Sequence, residues 1–394
     1  MIRVNNIHLS LDYDDKSVRK AVAQQLRIEE KSIKSCKIFR RSVDARKKDS
    51  IYFLTTVDAE LNINEDKVCK KCGNAQIARK YEYNQMKFGN APSPVVVGAG
   101  PAGLFATLIL ARSGAKPILI ERGRDVDRRT ADVNRFWTSG KLDITSNVQF
   151  GEGGAGTFSD GKLNSGTKDI RQRKVLEEFV SHGAPDEILY NAKPHIGTDM
   201  LKGTIKNIRN EIIELGGRVM FETKLVSMAF SDNKLKAITV ETANGDEILE
   251  TDNVILAIGH SARDTFEMLY DLKLPIEAKP FSVGARIEHL RQKVDKAQYG
   301  RFAGNKKLGS ANYKLSTHLD NGRGVYTFCM CPGGKVVNAS SEENRLCTNG
   351  MSEFARDAEN SNSALLVGIN PDDYESDHPL AGMYLQRKLE SKAF

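Results

Sequence analysis

The sequence predicts an α/β protein that contains a Rossmann-like βαβ unit and begins with a small α+β module. Between Ser93 and Gly123 a strand, a glycine turn, a helix, a second strand and an acidic residue follow one another. Strand and helix patterns also alternate over residues 1–88, and a second glycine-rich stretch lies at Phe150–Leu163. A chain of 394 residues exceeds one ordinary core, so we expect two or three domains.

Composition is typical of a globular protein in a reducing compartment. Hydrophobic residues make up 40% and charged residues 28% of the chain. Apolar runs fall well short of the roughly 20 residues that cross a bilayer. The N-terminus lacks the basic start and apolar core of a signal peptide. Six cysteines in a chain of this size do not form a disulfide framework. We therefore expect a cytoplasmic protein with no membrane partner.

Residues 1–88 have the pattern of a small α+β module. Residues 1–11 alternate as a strand does, Lys16–Leu26 is a short helix, and "CKIFRRSVDAR" and "SIYFLTTVDAEL" predict two further strands. The stretch "FGNAPSP" then predicts a linker. Cys69 and Cys72 form a Cys-x-x-Cys pair without a second pair to complete a zinc site, so we predict no metal.

The excess of positive charge lies in this first module. Residues 1–90 hold 19 Lys and Arg against 12 Asp and Glu, whereas the rest of the chain holds 39 of each. Eight of the basic residues fall within Lys31–Lys48. A basic stripe can bind nucleic acid, but this one lacks the regular interleaving of aromatic rings that base stacking needs. We favour a solvated face, with a nucleic-acid partner as the alternative.

The strongest motif is the glycine turn of the βαβ unit. It reads Gly98-Ala99-Gly100-Pro101-Ala102-Gly103, a G-x-G-x-x-G pattern that follows the strand Val95–Val97. In such turns the first glycine permits the tight turn, the second lets a pyrophosphate approach the backbone, and the third lets the helix pack on the strand. The helix N-terminus then faces the phosphates. Glu121, after the second strand, is placed to accept hydrogen bonds from a ribose. The alternative is a plain βαβ unit with an incidental glycine turn.

The second glycine-rich stretch, "FGEGGAGTFSDGKL", favours FAD over a nicotinamide dinucleotide. It places five glycines among fourteen residues, and Thr157 and Asp160 add polar groups. We expect backbone N–H groups near Gly153–Thr157 to line the flat end of the cofactor and to stabilise negative charge on it. A single phosphate loop does not require this second element. The alternative is a glycine-rich surface loop.

Six segments together resemble a family of bacterial FAD-dependent dehydrogenases, related to fumarate-reductase-like and glutathione-reductase-like flavoproteins. The segments are "GAGPAGLFATLILARSGAKPILIERG", "FGEGGAGTFSDGKL", "KPHIGTDML", "VILAIGHSARDTF", "PFSVGARIEH" and "TFCMCPGG". The resemblance covers nearly the whole chain. It implies a doubly wound FAD-binding domain at residues 89–265 and an inserted α+β substrate domain at residues 266–394. It further implies that the strand around Val226 passes the adenine and that Gly259 lies beside the flavin nucleotide.

The predicted site combines these motifs. The predicted FAD-binding residues are Gly98, Gly100, Pro101, Ala102, Gly103, Glu121, Arg122, Gly153, Gly154, Thr157, Asp160, Val226 and Gly259. His195 and His260 are candidates for proton transfer or substrate orientation, with a structural histidine as the alternative for each; His182 is predicted to lie on the surface. Cys329 and Cys331 are either a redox thiol pair or two buried small residues, and we expect Cys331 to be the one that touches substrate. Because a disulfide between residues so close would be strained, we predict free thiols.

The predicted activity is transfer of a hydride between a reductant and a small organic substrate through FAD. Because the chain has one complete G-x-G-x-x-G unit, NAD(P)H either shares the flavin site transiently as reductant or does not take part. An RNA-associated flavoprotein and a truncated, non-catalytic remnant are the alternatives. Flavoproteins of this type close the FAD site with a late glycine-rich segment. We find none after Gly368, so we expect C-terminal truncation and weakened FAD retention.

Overall fold

The computed structural model describes residues 1–79, 81–89, 92–167 and 169–394. Asn90 and Ala91 of the predicted linker lie outside the described residues. Strands of the described part form five sheets of two to four strands each. Among the described helices, none combines the length and the apolar character that crossing a membrane requires.

The N-terminal part is a ferredoxin-like βαββαβ unit. Its elements are β1 (Ile2–Leu9), α1 (Asp15–Leu26), β2 (Ile33–Asp44), β3 (Tyr52–Leu61), α2 (Glu65–Lys71) and β4 (Ala75–Ile77). The strands pair antiparallel in the order β2-β3-β1-β4. Val18, Val22 and Leu26 of α1 are buried, because their spacing places them on one face of the helix. The predicted first helix and three strands are confirmed.

This unit is joined to the rest of the chain through its core and one sheet edge. Its hydrophobic cluster includes Tyr299, Leu308 and Ala311, which lie more than two hundred residues away in sequence. The Arg41 N–H donates to the Tyr190 carbonyl at 2.7 Å, so the edge of β2 is paired. A sheet edge that is paired in this way offers no free hydrogen-bonding groups to another chain at that point.

The central unit contains a parallel sheet. Its elements are β5 (Val95–Val97), α3 (Pro101–Arg112), β6 (Ile118–Ile120), α4 (Val126–Ser139), α5 (Gln172–Ser181), α6 (Thr198–Glu214), β7 (Arg218–Met220), β8 (Lys224–Ser231), β9 (Lys234–Thr242), β10 (Gly245–Glu250), β11 (Val254–Leu256) and α7 (Arg263–Asp271). The parallel strand order is β11-β5-β6-β7. The chain leaves β5 toward β6 and returns to β11 on the other side, which creates a topological switch point between β5 and β11.

The two faces of this sheet are covered differently. Helices α3 and α6 cover one face, where Leu104, Leu108 and Ile208 are buried. The antiparallel sheet β8–β10 and helix α7 cover the other face, where Ile238 and Leu269 are buried. The predicted Rossmann-like unit is therefore present. Its second face carries a β-meander as well as a helix, so the layers differ from a sheet wound by helices on both faces.

The C-terminal part is a mainly antiparallel sheet. Its elements are β12 (Phe281–Leu290), α8 (Arg291–Tyr299), β13 (Ser316–His318), β14 (Gly324–Cys331), β15 (Lys335–Asn338), β16 (Thr348–Met351), β17 (Asn360–Ile369) and α9 (Ala381–Ala393). The larger sheet has the order β12-β17-β14-β13, and β15 and β16 pair with each other. Arg263 at the start of α7 is buried and pairs with Glu342 and with Glu390 of α9, each at 2.6 Å, which ties this part to the central unit.

Candidate functional site

A cavity of about 520 Å³ opens at the carboxyl ends of β5, β6 and β11. This volume is in the usual range for ligand sites, roughly 300–1,000 Å³. The walls come from three stretches, namely 97–102 after β5, 120–122 after β6 and 256–262 after β11. Gln149–Gly151, Gly154 and Ala155 close a further side. The cavity thus lies at the topological switch point, where open α/β sheets bind ligands.

The glycine turn after β5 has the geometry that its sequence predicts. Gly98 adopts a φ of +102°, and a Cβ there would lie 2.5 Å from the Ala257 carbonyl oxygen. A Cβ on Gly103 would lie 1.8 Å from the Gly98 oxygen, so α3 can approach the strand only with glycine here. Gly100 is the residue before α3 and Pro101 begins it. The unpaired N–H groups in the first turn of α3 therefore border the cavity, a setting that suits a phosphate.

Glu121 ties three loops together beneath the cavity. Its carboxylate accepts N–H groups from Ala99 at 2.7 Å, Gly123 at 2.9 Å and Gly151 at 3.0 Å. The side chain lines the cavity although the residue is buried. A carboxylate offers about four acceptor positions, so one remains for a ribose hydroxyl. Glu121 is thus a structural anchor in addition to its predicted binding role.

The glycines of the second loop serve contacts within the protein. Gly153 donates its N–H to the Ala99 carbonyl at 2.8 Å, and Gly154 donates to Gly151 at 3.0 Å. These two N–H groups of the predicted Gly153–Thr157 set are therefore already occupied within the protein, and the role of the remaining N–H groups stays a prediction. A Cβ on Gly154 would lie 3.0 Å from the Gly100 Cα. The missing side chains let the two glycine-rich loops touch at the edge of the cavity.

The second loop is held from below by a fully buried arginine. Arg129 of α4 donates to the carbonyls of Asn147, Val148, Gly151 and Glu152. Burial lowers the pKa of Arg129 to about 10, and the nearby Glu121 and Glu152 carboxylates oppose this effect. Sequence reasoning missed Arg129, because nothing distinguishes it from the exposed arginine that precedes it.

Charged residues flank the predicted adenine end. Arg122 donates to Asp264 at 2.9 Å and stacks over the Phe150 ring at 4.5 Å. Burial raises the pKa of Asp264, but hydrogen bonds from Arg122 and Lys224 outweigh it and hold the pKa at about 2. Thr223, Lys224 and Leu225 line the cavity, and their neighbour Val226 does not. The strand that the resemblance places beside the adenine therefore lines the cavity, but not through Val226, and its contact with adenine stays a prediction.

The two predicted histidines occupy different places. His260 lines the cavity next to Gly259. Its Nδ1 lies 3.2 Å from the Ser261 hydroxyl oxygen. Desolvation by the cavity wall and the charge of Arg263 lower the pKa of His260. His195 lies away from the cavity lining; its Nε2 is 2.9 Å from the Phe354 carbonyl, and burial lowers its pKa. Of the two predicted histidines, only His260 therefore borders the cavity.

Asp160 and Cys331 also lie outside the cavity lining. Asp160 is buried and pairs with Arg356 and with Lys162, the latter at 2.9 Å. Thr157 is buried as well, and its hydroxyl donates to the Glu152 carbonyl. Cys331 is fully buried, whereas Cys329 is half-buried. The structure gathers Asp160 and the cysteines into a second polar cluster.

Some of the basic residues of Lys31–Lys48 form ion pairs within their own module. Lys31 pairs with Glu29, Lys34 with Glu60, and Arg46 with Asp44. Arg41 turns toward the central unit and donates to Asn191. Over the described residues, no group of three or more His, Cys, Asp or Glu has the arrangement of a metal site.

Two family models match parts of the chain. Residues 280–394 match the model described as "FAD-dependent protein, C-terminal domain-like", and residues 1–60 match a domain of unknown function. An uncharacterized protein of Clostridium beijerinckii is 47% identical over 399 residues, a match that covers 100% of this chain and 74% of the relative. The chain belongs to the same family as this clostridial protein. The family-model match shows that residues 280–394 are similar to the C-terminal domain of FAD-dependent proteins.

Solved structures are more distant. The glycerol-3-phosphate dehydrogenase of Bacillus halodurans, solved with FAD, is 12% identical over 74% of this chain and 49% of its own, with a TM-score of 0.35. A flavoprotein/dehydrogenase of Cytophaga hutchinsonii is 13% identical over 77% of this chain and 63% of its own, also with a TM-score of 0.35. The chain spans less than two thirds of these solved chains. TM-scores this low carry no argument about fold or function.

Proposed function

We propose that the protein is an FAD-dependent oxidoreductase that transfers a hydride between a reductant and a small organic substrate. One observation carries the proposal: the glycine turn, the Glu121 carboxylate and the loop after β11 converge on one cavity at the switch point of the parallel sheet. The similarity of residues 280–394 to the C-terminal domain of FAD-dependent proteins supports FAD as the molecule that this cavity binds. FAD would supply the hydride chemistry, and the protein would supply binding, orientation and electrostatics.

The residues at the cavity fit a dinucleotide. The first turn of α3 would bind the pyrophosphate, since its N–H groups and the helix dipole favour anions. The free acceptor position of Glu121 would bind a ribose hydroxyl. Leu225 and Leu269 give an apolar wall for the adenine. His260 would orient substrate or move a proton at Nε2, because Nδ1 faces Ser261.

Cofactor identity is tested directly by the visible spectrum of the purified protein and by mass identification of what it releases on denaturation. We expect flavin absorption bands and released FAD. FAD titration of cofactor-stripped protein, followed by flavin fluorescence, then gives the affinity. Anaerobic addition of NADH or NADPH tests the reductant by bleaching of the flavin band. If neither purified nor FAD-supplemented protein holds flavin, the proposal is wrong.

A point variant separates the binding site from the fold. Gly100 has a φ of −71°, and the nearest atom to a Cβ placed there is 3.9 Å away. Gly100→Ala should therefore fold normally while its methyl group hinders the approach of a phosphate to the backbone, and we expect FAD affinity to fall at least about tenfold. Gly203→Ala is the matched control, because a Cβ on this helical glycine meets nothing within 4 Å. Equal affinity in both variants would contradict the assigned phosphate site.

A further inference from the structure

The second polar cluster is built around two cysteines and a lysine. The Lys162 Nζ lies 3.5 Å from the Cys331 Sγ and 3.9 Å from the Cys329 Sγ. Lys162 comes from the end of the second glycine-rich stretch, whereas both cysteines come from the end of β14. Two segments that are distant in sequence therefore bring one ammonium group to two sulfurs. Two buried thiols that served only as small apolar side chains would not need a cation beside them.

The backbone of β14 is distorted at this point. Cys329 has a φ of +47°, which is unusual for a residue with a side chain. The register of β14 against β17 shifts between Phe328 and Cys331, so the strand bulges here. Two guanidinium nitrogens of Arg286 hold the Cys329 carbonyl at 3.3 and 3.4 Å. The bulge interrupts the regular alternation of side chains along β14, and both sulfurs still lie next to the Lys162 ammonium group.

The charges around the cluster favour a thiolate at one sulfur. A hydrogen bond from Cys331 lowers the pKa of the Cys329 thiol to about 5; burial opposes this shift, and Lys162 and Arg286 add to it. The hydrogen bond to Cys329 and burial raise the pKa of Cys331. Asp160 opposes thiolate formation, but Arg356 and Lys162 both pair with it. These charges favour Cys329 over Cys331 as the sulfur that loses its proton.

The neighbouring residues pack closely on the Cys331 sulfur and include one donor without a partner. A Cβ on Gly350 would lie 2.8 Å from the Cys331 Sγ and 2.4 Å from the Arg286 guanidinium, so only glycine lets β16 approach the sulfur this closely. Asn362 is fully buried, and its Nδ2 has no hydrogen-bond partner. Buried polar groups are almost always satisfied, so a small polar molecule would satisfy this donor.

We propose that Cys329 and Cys331 form a redox site that reacts with hydrogen peroxide or a small hydroperoxide, with Cys329 as the attacking thiolate, Cys331 as the resolving thiol and Lys162 as the proton donor. A small oxidant is favoured over a protein disulfide, because Cys331 is fully buried and Cys329 is half-buried. A low-pKa thiolate next to a second thiol is the arrangement of peroxide-responsive cysteines. Lys162, Cys329 and Cys331 do not line the dinucleotide cavity.

The reaction balances without a further reagent. The Cys329 sulfur attacks one peroxide oxygen, the O–O bond breaks, and the released hydroxide takes a proton from Lys162 to leave as water. Cys331 then attacks the sulfenic acid sulfur, the S–O bond breaks, and a second water leaves with the oxygen and the proton of Cys331. In sum, two thiols and one peroxide give one disulfide and two waters. The ring closed by Cys-x-Cys is strained, and thiols reduce such disulfides readily.

The test uses two tryptic peptides of the same protein. Residues 324–335 contain Cys329 and Cys331, and residues 346–356 contain Cys347 alone. Burial raises the pKa of Cys347, which makes it an internal control. After brief treatment of the reduced protein with equimolar hydrogen peroxide and then iodoacetamide, we expect peptide 324–335 to be two hydrogens lighter and unalkylated. Dithiothreitol should reverse this change, and peptide 346–356 should carry the alkyl group.

Variants assign the roles. In Cys331→Ser, dimedone should trap a sulfenic acid on Cys329. In Lys162→Gln, peroxide oxidation of Cys329 should slow at least about tenfold, whereas Lys162→Arg should keep most of the rate. The rate of iodoacetamide alkylation at Cys329 should be flat between about pH 6 and 8 in the wild type and should rise with pH in Lys162→Gln. Circular dichroism establishes that each variant is folded. Oxidation of Cys329 and Cys347 at equal rates, or no effect of Lys162→Gln, would overturn the proposal.

Discussion

Two single buried charged residues determine how the loops beside the cavity are held. Glu121 accepts three backbone N–H groups from three loops, and Arg129 donates to four carbonyls. A buried carboxylate or guanidinium is stable only when hydrogen bonds replace the water that it loses. In both residues the backbone supplies these bonds, so the charge fixes the course of the chain beside the cavity.

The ion pairs of Asp160 predict how the free energy of unfolding depends on pH. Burial raises its pKa, but hydrogen bonds and charges from Arg356 and Lys162 outweigh burial, so the pKa is lower in the folded protein than the ordinary value of 3.8. Such a group stabilises the fold above its unfolded pKa, and the contribution is lost as the pH falls through the folded pKa. Asp160→Asn should therefore lower the free energy of unfolding by about 2–4 kcal/mol at neutral pH, and the difference should narrow as the pH falls below 3.8.

Urea unfolding of wild type and variant between about pH 3 and pH 7 measures this difference. Asp169→Asn is the control. Asp169 also pairs with an arginine, but that pair is exposed at the surface, where ion pairs contribute little. A gap between Asp160→Asn and the wild type that stays constant with pH would contradict the assigned ion pairs.

At the scale of single residues, the sequence could predict only those roles that leave a local sequence motif. The roles of Gly98 and Gly103 were predictable, because a turn that must avoid Cβ atoms leaves a fixed spacing. His182 was predicted on the surface, and this prediction is wrong. The residue is buried, with Nε2 2.7 Å from Glu211. Contacts between residues far apart in sequence leave no local pattern, so the pairing of Lys162 with Cys329 was equally out of reach.

Among the elements, the two glycine-rich loops behave as one unit. Gly153 has a φ of +84°, and a Cβ there would lie 2.1 Å from the Thr157 hydroxyl oxygen. Gly156, three residues later, meets nothing within 4 Å. The same loop therefore contains a glycine that is required and one that is not. The sequence did not predict this difference in backbone requirement, since composition alone does not reveal which glycine has a positive φ.

Gly153→Ala and Gly156→Ala form a matched pair that tests this difference. We expect Gly153→Ala to lower the free energy of unfolding by about 2–4 kcal/mol, because an L side chain is strained at positive φ and meets Thr157. Gly156→Ala should have little effect. Chemical denaturation of both variants measures the difference, and FAD titration shows whether the displaced loop also weakens binding. Equal stability of the two variants would contradict the loop geometry.

At the scale of the whole molecule, the sequence patterns predicted the strands and helices of each unit better than the packing of one unit against another. The βαβ unit and the N-terminal strands follow from hydrophobic periodicity, which is a local property. The N-terminal unit was predicted as a module followed by a linker. In the structure its hydrophobic cluster also contains Tyr299, Leu308 and Ala311 from the C-terminal part. Sequence periodicity marks these residues as apolar but does not indicate which sheet they pack against.

This shared core predicts that the N-terminal unit depends on a segment more than two hundred residues away. Leu308 is buried in the cluster, so Leu308→Ala should lower the free energy of unfolding by about 2–5 kcal/mol. Amide hydrogen exchange in β1 and β3 should speed up, because removing the Leu308 side chain leaves an empty space in the hydrophobic cluster that these strands help to form. Leu319→Ala, at a position that is 47% exposed, should leave exchange in both strands unchanged. If Leu308→Ala destabilised the protein while β1 and β3 kept their protection, the N-terminal unit would be an independent body, and the predicted linker would be its main connection to the rest of the chain.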